Sequence, residues 1–206
     1  MKIAILGSGG REHALARKIS QSRLCDRLFV IPGNAGMAEL ATCIPDIALN
    51  DSDAIIRFVK KQGINFTVVG PEQPLVEGIV DRFKAEGLRI SGPTRAAAQL
   101  EGSKVFAKLF MQRYLIPTAR FEVFDNLASA TAYLEELDYP FVIKVDGLAA
   151  GKGVLLPESL AEARQQLQAI FSEHQFGSSG DRVVIEERLT GPEASLFVLV
   201  RGGNYW

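Results

Sequence analysis

Four short apolar runs, Lys2–Leu6, Leu28–Ile31, Phe66–Val69 and Leu88–Ile90, alternate with amphipathic segments of helical period over residues 1–95. This alternation restricts the fold more than any other feature of the chain. Arg11–Ser22 carries Ala14, Leu15 and Ile19 on one helical face. Ser52–Gln62 does the same with Ile55, Ile56 and Val59, with Ser52 the expected cap, and Pro74–Glu86 with Leu75, Ile79, Val80 and Phe83. Strand, helix and strand in this order predict a doubly wound parallel sheet with helices on both faces, an α/β domain.

The pattern then changes. Pro93–Tyr114 reads as a helix broken near Gly102-Ser103. Beyond Pro117, strands are expected at Arg120–Val123, Phe141–Val145, Val154–Leu156, Val183–Glu187 and Ala194–Val200. Helices are expected at Leu127–Leu137 and Ser159–Phe171, and Phe176–Asp181 as a loop. Hairpin-like pairs with interleaved helices predict an α+β second unit. Gly202-Gly203-Asn204 reads as a turn, with Tyr205-Trp206 opening a return strand. A strand without its partner leaves ladder groups bare, so the sequence is expected to stop inside a domain.

Charge excludes some partners. Lys and Arg total 23 and Asp and Glu total 24, for a net charge of −1. A nucleic-acid or anionic-membrane surface needs a cationic excess that is missing here. No apolar run approaches the ~20 residues that span a bilayer. Met1-Lys2 leads straight into a short apolar run without a cleavage site, so a cytoplasmic location is expected. Cys25 and Cys43 lack the spacing of a zinc site or disulfide framework and read as free thiols.

Two glycine loops carry the chemistry. Gly7-Ser8-Gly9-Gly10-Arg11-Glu12 follows the first strand and opens a helix, where a dinucleotide fingerprint would sit. Glu12 replaces the third fingerprint glycine, and the second strand ends in Pro32-Gly33-Asn34 rather than an acid. What survives is a helix start with unpaired N–H groups, suited to a phosphate, or else simply a tight turn. Gly147-Leu148-Ala149-Ala150-Gly151-Lys152-Gly153 is one residue short of a P-loop and lacks its Ser or Thr. Flanked by strands, it reads as a flap that closes over phosphates, or as a mobile hairpin. Lys144 interrupts an apolar strand and must pair with Asp146, snorkel or meet an anion. Glu186-Glu187 is either a solvated strand end or a hinge beside a base and ribose, with the turn at Gly191-Pro192-Glu193 nearby. His13 reads as a packing residue and His174 as solvated.

In order along the chain, these segments resemble the ATP-grasp superfamily, and within it the phosphoribosylamine–glycine ligase family. The resemblance lies in Ile5–Ala16, Pro32-Gly33-Asn34-Ala35-Gly36, Val69–Leu75, Gly92-Pro93-Thr94, Gln99–Lys104, Lys144–Val154 and Val184–Glu187. It implies an ADP-forming ligase of purine synthesis, acting on ATP, glycine and 5-phosphoribosylamine as a monomer. Glycine would be activated as glycyl phosphate, which the phosphoribosylamine attacks to give glycinamide ribonucleotide. Gly9, Gly10, Arg11, Glu12, Asn34, Pro71 and Glu72 would then face the phosphoribosylamine. Lys104, Lys144, Gly151, Lys152, Gly153, Glu186, Glu187, Leu189 and Glu193 would hold ATP, with Lys144 and Lys152 closest to the chemistry. The implied boundaries are 1–103 for the substrate domain, 104–119 for a helical connection, 120–187 for the ATP-grasp lid and 188–206 for the start of the grasp domain. The family's Mg²⁺ or Mn²⁺ ligands are expected beyond residue 206, so the 206 residues alone are expected to be inactive. A non-catalytic phosphosugar- or nucleotide-binding module is the competing reading.

Overall fold

The computed structural model describes residues 1–149 and 151–205. Five parallel strands, β1 (Lys2–Gly7), β2 (Arg27–Pro32), β3 (Thr42–Cys43), β4 (Phe66–Val69) and β5 (Ile90–Ser91), form one sheet in the order β3-β2-β1-β4-β5. The order reverses beside β1, as in a doubly wound fold. Alternation along the central strands separates two apolar layers. Ala4, Leu6, Phe29 and Ile31 pack against Ile55 and Val59 of α2 (Ser52–Gln62) and Ile79 and Phe83 of α4 (Ile79–Ala85). Ile3, Ile5, Leu28 and Val30 pack against Ala16 of α1 (Gly10–Ser20) and against Met37.

Local chemistry moves several boundaries. Asp51, not Ser52, caps α2: its Oδ1 accepts from the Ala54 N–H at 2.9 Å, and Ser52 lies buried in the first turn. Both residue types cap well, so composition alone leaves a one-residue ambiguity. The expected helix Pro74–Glu86 is two helices, α3 (Glu72–Val76) and α4. Gly78 joins them at φ 91°, a left-handed conformation that ends one helix and restarts the chain in a new direction. The two-residue strand β3 and the 3₁₀ turn at Met37–Glu39 are too short to leave a periodic signal.

Helices α5 (Arg95–Gly102) and α6 (Lys104–Arg113) break at Ser103, whose Oγ caps α6 by accepting from the Phe106 N–H at 3.0 Å. The second unit is a four-stranded antiparallel sheet in the order β6-β9-β7-β8, comprising β6 (Phe121–Phe124), β7 (Phe141–Val145), β8 (Val154–Leu155) and β9 (Val183–Glu187). Its core face, with Ile143, Val145, Val183 and Ile185, is covered by α7 (Leu127–Glu136) and α8 (Leu160–Phe171). The same alternation sends Lys144, Val184 and Glu186 to the opposite face. The expected strand Ala194–Val200 does not form: residues 192–199 carry no regular structure. Only a two-residue hairpin follows, β10 (Val200–Arg201) with β11 (Asn204–Tyr205). An apolar alternating run becomes a strand only against a partner, and among the described residues this one has none beyond that hairpin.

Asp146 ties the two units together. Its Oδ1 accepts from Ser103 Oγ at 2.6 Å and from the Val105 N–H at 2.9 Å, and its Oδ2 pairs with Arg182 Nη2 at 2.6 Å. Its carbonyl accepts from the Lys104 N–H at 3.0 Å, and its own N–H donates to the Arg182 carbonyl at 3.0 Å. The carboxylate thus sits at the positive end of α6.

The break at Gly78 has a signed consequence. Gly78→Ala is expected to lower stability by about 1–2 kcal/mol, the cost of a left-handed residue with a Cβ. In a continuous helix the same change would raise stability, so the sign in urea denaturation separates the two arrangements.

Candidate functional site

A cleft of about 920 Å³ opens between the two units. One wall is Pro71, Glu72 and Gln73, just past the carboxyl end of β4. The floor comes from Lys104, Ala107, Lys108 and Met111 of α6, and the other wall from Lys144, Val184 and Glu186. Leu148, Ala149, Gly151 and Gly153 of the glycine-rich flap, Val154, and Leu100 and Glu101 of α5 complete the lining. A crevice at the carboxyl ends of parallel strands is where doubly wound sheets place ligands.

The first glycine loop lies along the edge of this wall. Gly9 and Gly10 are exposed at the start of α1, and the space a Cβ of Gly10 would take is open. Arg11 Nη1 donates to the Gly70 carbonyl at 3.0 Å and to Glu72 Oε1 at 2.9 Å, which links the loop to the cleft wall. The Glu72 carboxyl is held below the usual carboxylate range, first by its own backbone N–H and then by Arg11. Two of the residues expected at the ligand are engaged within the protein. Glu12 is buried, and its Oε2 accepts from the Gly9 N–H at 2.7 Å while its carboxyl packs under Gly7 and Gly70. It braces the loop from beneath. The Asn34 amide is likewise committed: Nδ2 donates to the Ser8 carbonyl at 2.8 Å, and Oδ1 accepts from the Met37 N–H at 3.0 Å. It ties the second loop to the first. His13 packs against that second loop at Gly36, in its expected role.

The opposite wall is built on a buried carboxylate. Glu186, only 6% exposed, pairs through Oε1 with Lys144 and through Oε2 with Lys108. It is therefore no solvated strand end. Lys144 pairs with Glu186 rather than with Asp146, whose oxygens are taken by Ser103, Val105 and Arg182. Lys104 Nζ donates to the Gly147 carbonyl at 3.2 Å. Burial pushes the Lys104 ammonium below the ordinary lysine range, and the nearby Lys144 adds to that shift against the opposing pull of Asp146. Such a lysine gains on meeting a polyanion.

Other expected ATP contacts do not converge. Glu187 alternates to the far side of β9 and pairs with Arg120 at 3.2 and 3.4 Å, so its side chain is outside the cleft. Lys152 is exposed on the flap and, unlike its neighbours Gly151 and Gly153, does not line the cleft. Ala150 lies outside the described residues. Leu189, 69% exposed, and the exposed Glu193 sit on the irregular segment after β9 and contribute nothing to the lining. Lys108 was missed. Its only sequence signal is a charge one helical turn after Lys104 on an otherwise apolar segment. Among the described residues no group of three or more His, Cys, Asp or Glu side chains could hold a metal ion. Of the three acids that line the cleft, Glu186 pairs with Lys108 and Lys144 and Glu72 with Arg11, while Glu101 stands beside Lys104 without an ion pair among the described residues.

Residues 1–101 match the family model for the phosphoribosylglycinamide synthetase N domain, and residues 102–206 match that for its ATP-grasp (A) domain. The chain belongs to the phosphoribosylglycinamide synthetase family. It is 51% identical to the phosphoribosylamine–glycine ligase of Ralstonia nicotianae over 202 residues, covering 98% of this chain and 48% of that protein. Against the Escherichia coli K12 ligase it is 50% identical over 204 residues, with 98% and 47% covered. The crystal structure of the Thermotoga maritima ligase superposes with a TM-score of 0.78 at 32% identity, covering all of this chain and 48% of that one. At 16% identity and a TM-score of 0.72, the biotin carboxylase domain of Hydrogenobacter thermophilus 2-oxoglutarate carboxylase shares the fold over 91% of this chain and 44% of that one. The chain spans about half the length of the curated relatives it matches.

The Arg11–Glu72 contact sets a titration. Arg11→Ala is expected to raise the Glu72 pKa, yet leave it depressed, because the first cause is the Glu72 backbone N–H. A depressed carboxyl supports the fold above its unfolded pKa and ceases to as the pH falls through its folded value. Carbonyl-carbon NMR titration of both chains checks this; an unmoved Glu72 would contradict the contact.

Proposed function

We propose that this chain binds ATP and 5-phosphoribosylamine in adjoining parts of one cleft, for the synthesis of glycinamide ribonucleotide in purine formation. The observation that carries this reading is the cleft lined from both units, with Lys104, Lys108 and Lys144 facing a wall of Pro71, Glu72 and Gln73 to which Arg11 of the first glycine loop is hydrogen-bonded. ATP would lie along the second unit. Lys104 and Lys144 would meet its phosphates, and the strand end at Glu186 would lie beside its base. The glycine-lined flap, with Lys152 on it, would close over the phosphates and exclude water, which strengthens each lysine–phosphate contact. The phosphoribosylamine phosphate would sit at the start of α1, on the N–H groups of Gly10 and Arg11.

In this proposal the glycine carboxylate attacks the γ-phosphorus of ATP, giving glycyl phosphate and ADP. The phosphoribosylamine nitrogen then attacks the acyl carbon, the C–O bond to phosphate breaks, and inorganic phosphate leaves. Lys104 and Lys144 would offset charge on the transferred group. We further propose that ligation also needs residues in the part of the relatives' length that this chain does not span.

The test is titration of the 206-residue chain with ATP, together with an assay for ADP. Saturable ATP binding without glycine-dependent ADP release is expected; no ATP binding, or full ligation, would overturn the reading. Lys144→Ala should weaken ATP binding by about tenfold, one charge-assisted contact, with an unchanged thermal midpoint. Unaltered affinity would remove Lys144 from the phosphate site.

A further inference from the structure

We infer that Lys108 is a positioning residue that holds Glu186 and so releases Lys144 to a phosphate chain in the cleft. This rests on the nucleotide reading above. Glu186 stands between two lysines that differ in freedom. The Lys108 side chain is 10% exposed, whereas that of Lys144 is 28% exposed. Lys108 Nζ also donates to Thr118 Oγ1 at 2.7 Å and lies 5.4 Å from the centre of the Phe121 ring. It is fixed from three sides.

The buried carboxylate decides what Lys144 can do. A carboxylate with a single lysine would hold that lysine tightly, because losing it would strand a bare charge away from water. With Lys108 in place, Lys144 can turn to an anion and leave a neutral Glu186–Lys108 pair behind. The three groups together also carry one net positive charge facing the cleft; without Lys108 they carry none. Lys108 therefore acts on a bound phosphate chain through Glu186 and Lys144.

The probe is inorganic tripolyphosphate, which has no base to touch Glu186, measured by titration calorimetry on the 206-residue chain. Lys108→Met should weaken its binding by about tenfold, the effect of one charge lost near a polyanion. Adding Glu186→Gln to that variant frees Lys144 again and should restore affinity to within about threefold of the parent chain. A purely structural role for Lys108 predicts no such rescue, so a double variant as weak as Lys108→Met would overturn the inference, as would unchanged binding by Lys108→Met. Should Lys108→Met not fold, Glu186→Gln alone decides: both lysines are released and tripolyphosphate should bind several-fold tighter, while equal or weaker binding contradicts the account. A parent chain that binds neither tripolyphosphate nor ATP would sink the nucleotide reading as well. A parent that binds both, with variants that do not respond, would sink only the role of Lys108.

Discussion

The carboxylate of Asp146 is the joint on which the site depends. Its oxygens close the start of α6 through Ser103 and Val105 and reach back to Arg182 beside β9. The buried Val105 N–H, left alone, would be an orphaned donor, and Asp146 itself, 9% exposed, would be a bare charge without its partners. Satisfying them with one side chain fixes where the floor of the cleft meets its lysine-bearing wall. The backbone bonds from Lys104 and to Arg182 reinforce the same junction.

From that joint, the pleat of the antiparallel sheet does the rest. Ile143, Val145, Val183 and Ile185 turn toward α7 and α8, so Lys144, Val184 and Glu186 must turn toward the cleft. Placing charges on that face costs desolvation, which the Lys108–Glu186–Lys144 cluster offsets by pairing. Among the described residues Lys104 has no carboxylate ion pair, and burial pushes its ammonium below the ordinary lysine range. The cleft therefore presents lysines on the face opposite the sheet's apolar core.

Much of this was legible in the sequence. The short apolar runs placed β1, β2, β4, β7 and β9, and the helical spacing placed α1 and α2, within a residue or two. The ordered glycine-loop and lysine motifs pointed to the family that the domain matches show. Long-range pairing was less legible. Nothing in Gly147–Gly153 or Glu186-Glu187 told that Glu186 faces in while Glu187 faces out to Arg120, since that depends on β9 lying between β6 and β7. Glu12 was expected at a ligand only because the family resemblance places its loop there; the space under Gly7 and Gly70 into which it folds lies at the ends of two strands far apart in sequence. Gly78 divides an unbroken apolar pattern by backbone conformation alone. The run at 194–200 was read as a strand from composition, which cannot supply the partner that a strand needs.

The most direct measurement is the distance across the cleft. Spin labels at Gln73→Cys and Leu148→Cys, in a chain whose Cys25 and Cys43 are replaced by serine, report the separation of the two walls by electron–electron resonance. A single narrow distribution that broadens when Asp146→Ala is added is the predicted result. A broad distribution in the parent, or a narrow one that survives the loss of Asp146, would contradict the claim that this carboxylate joins the two walls into one site.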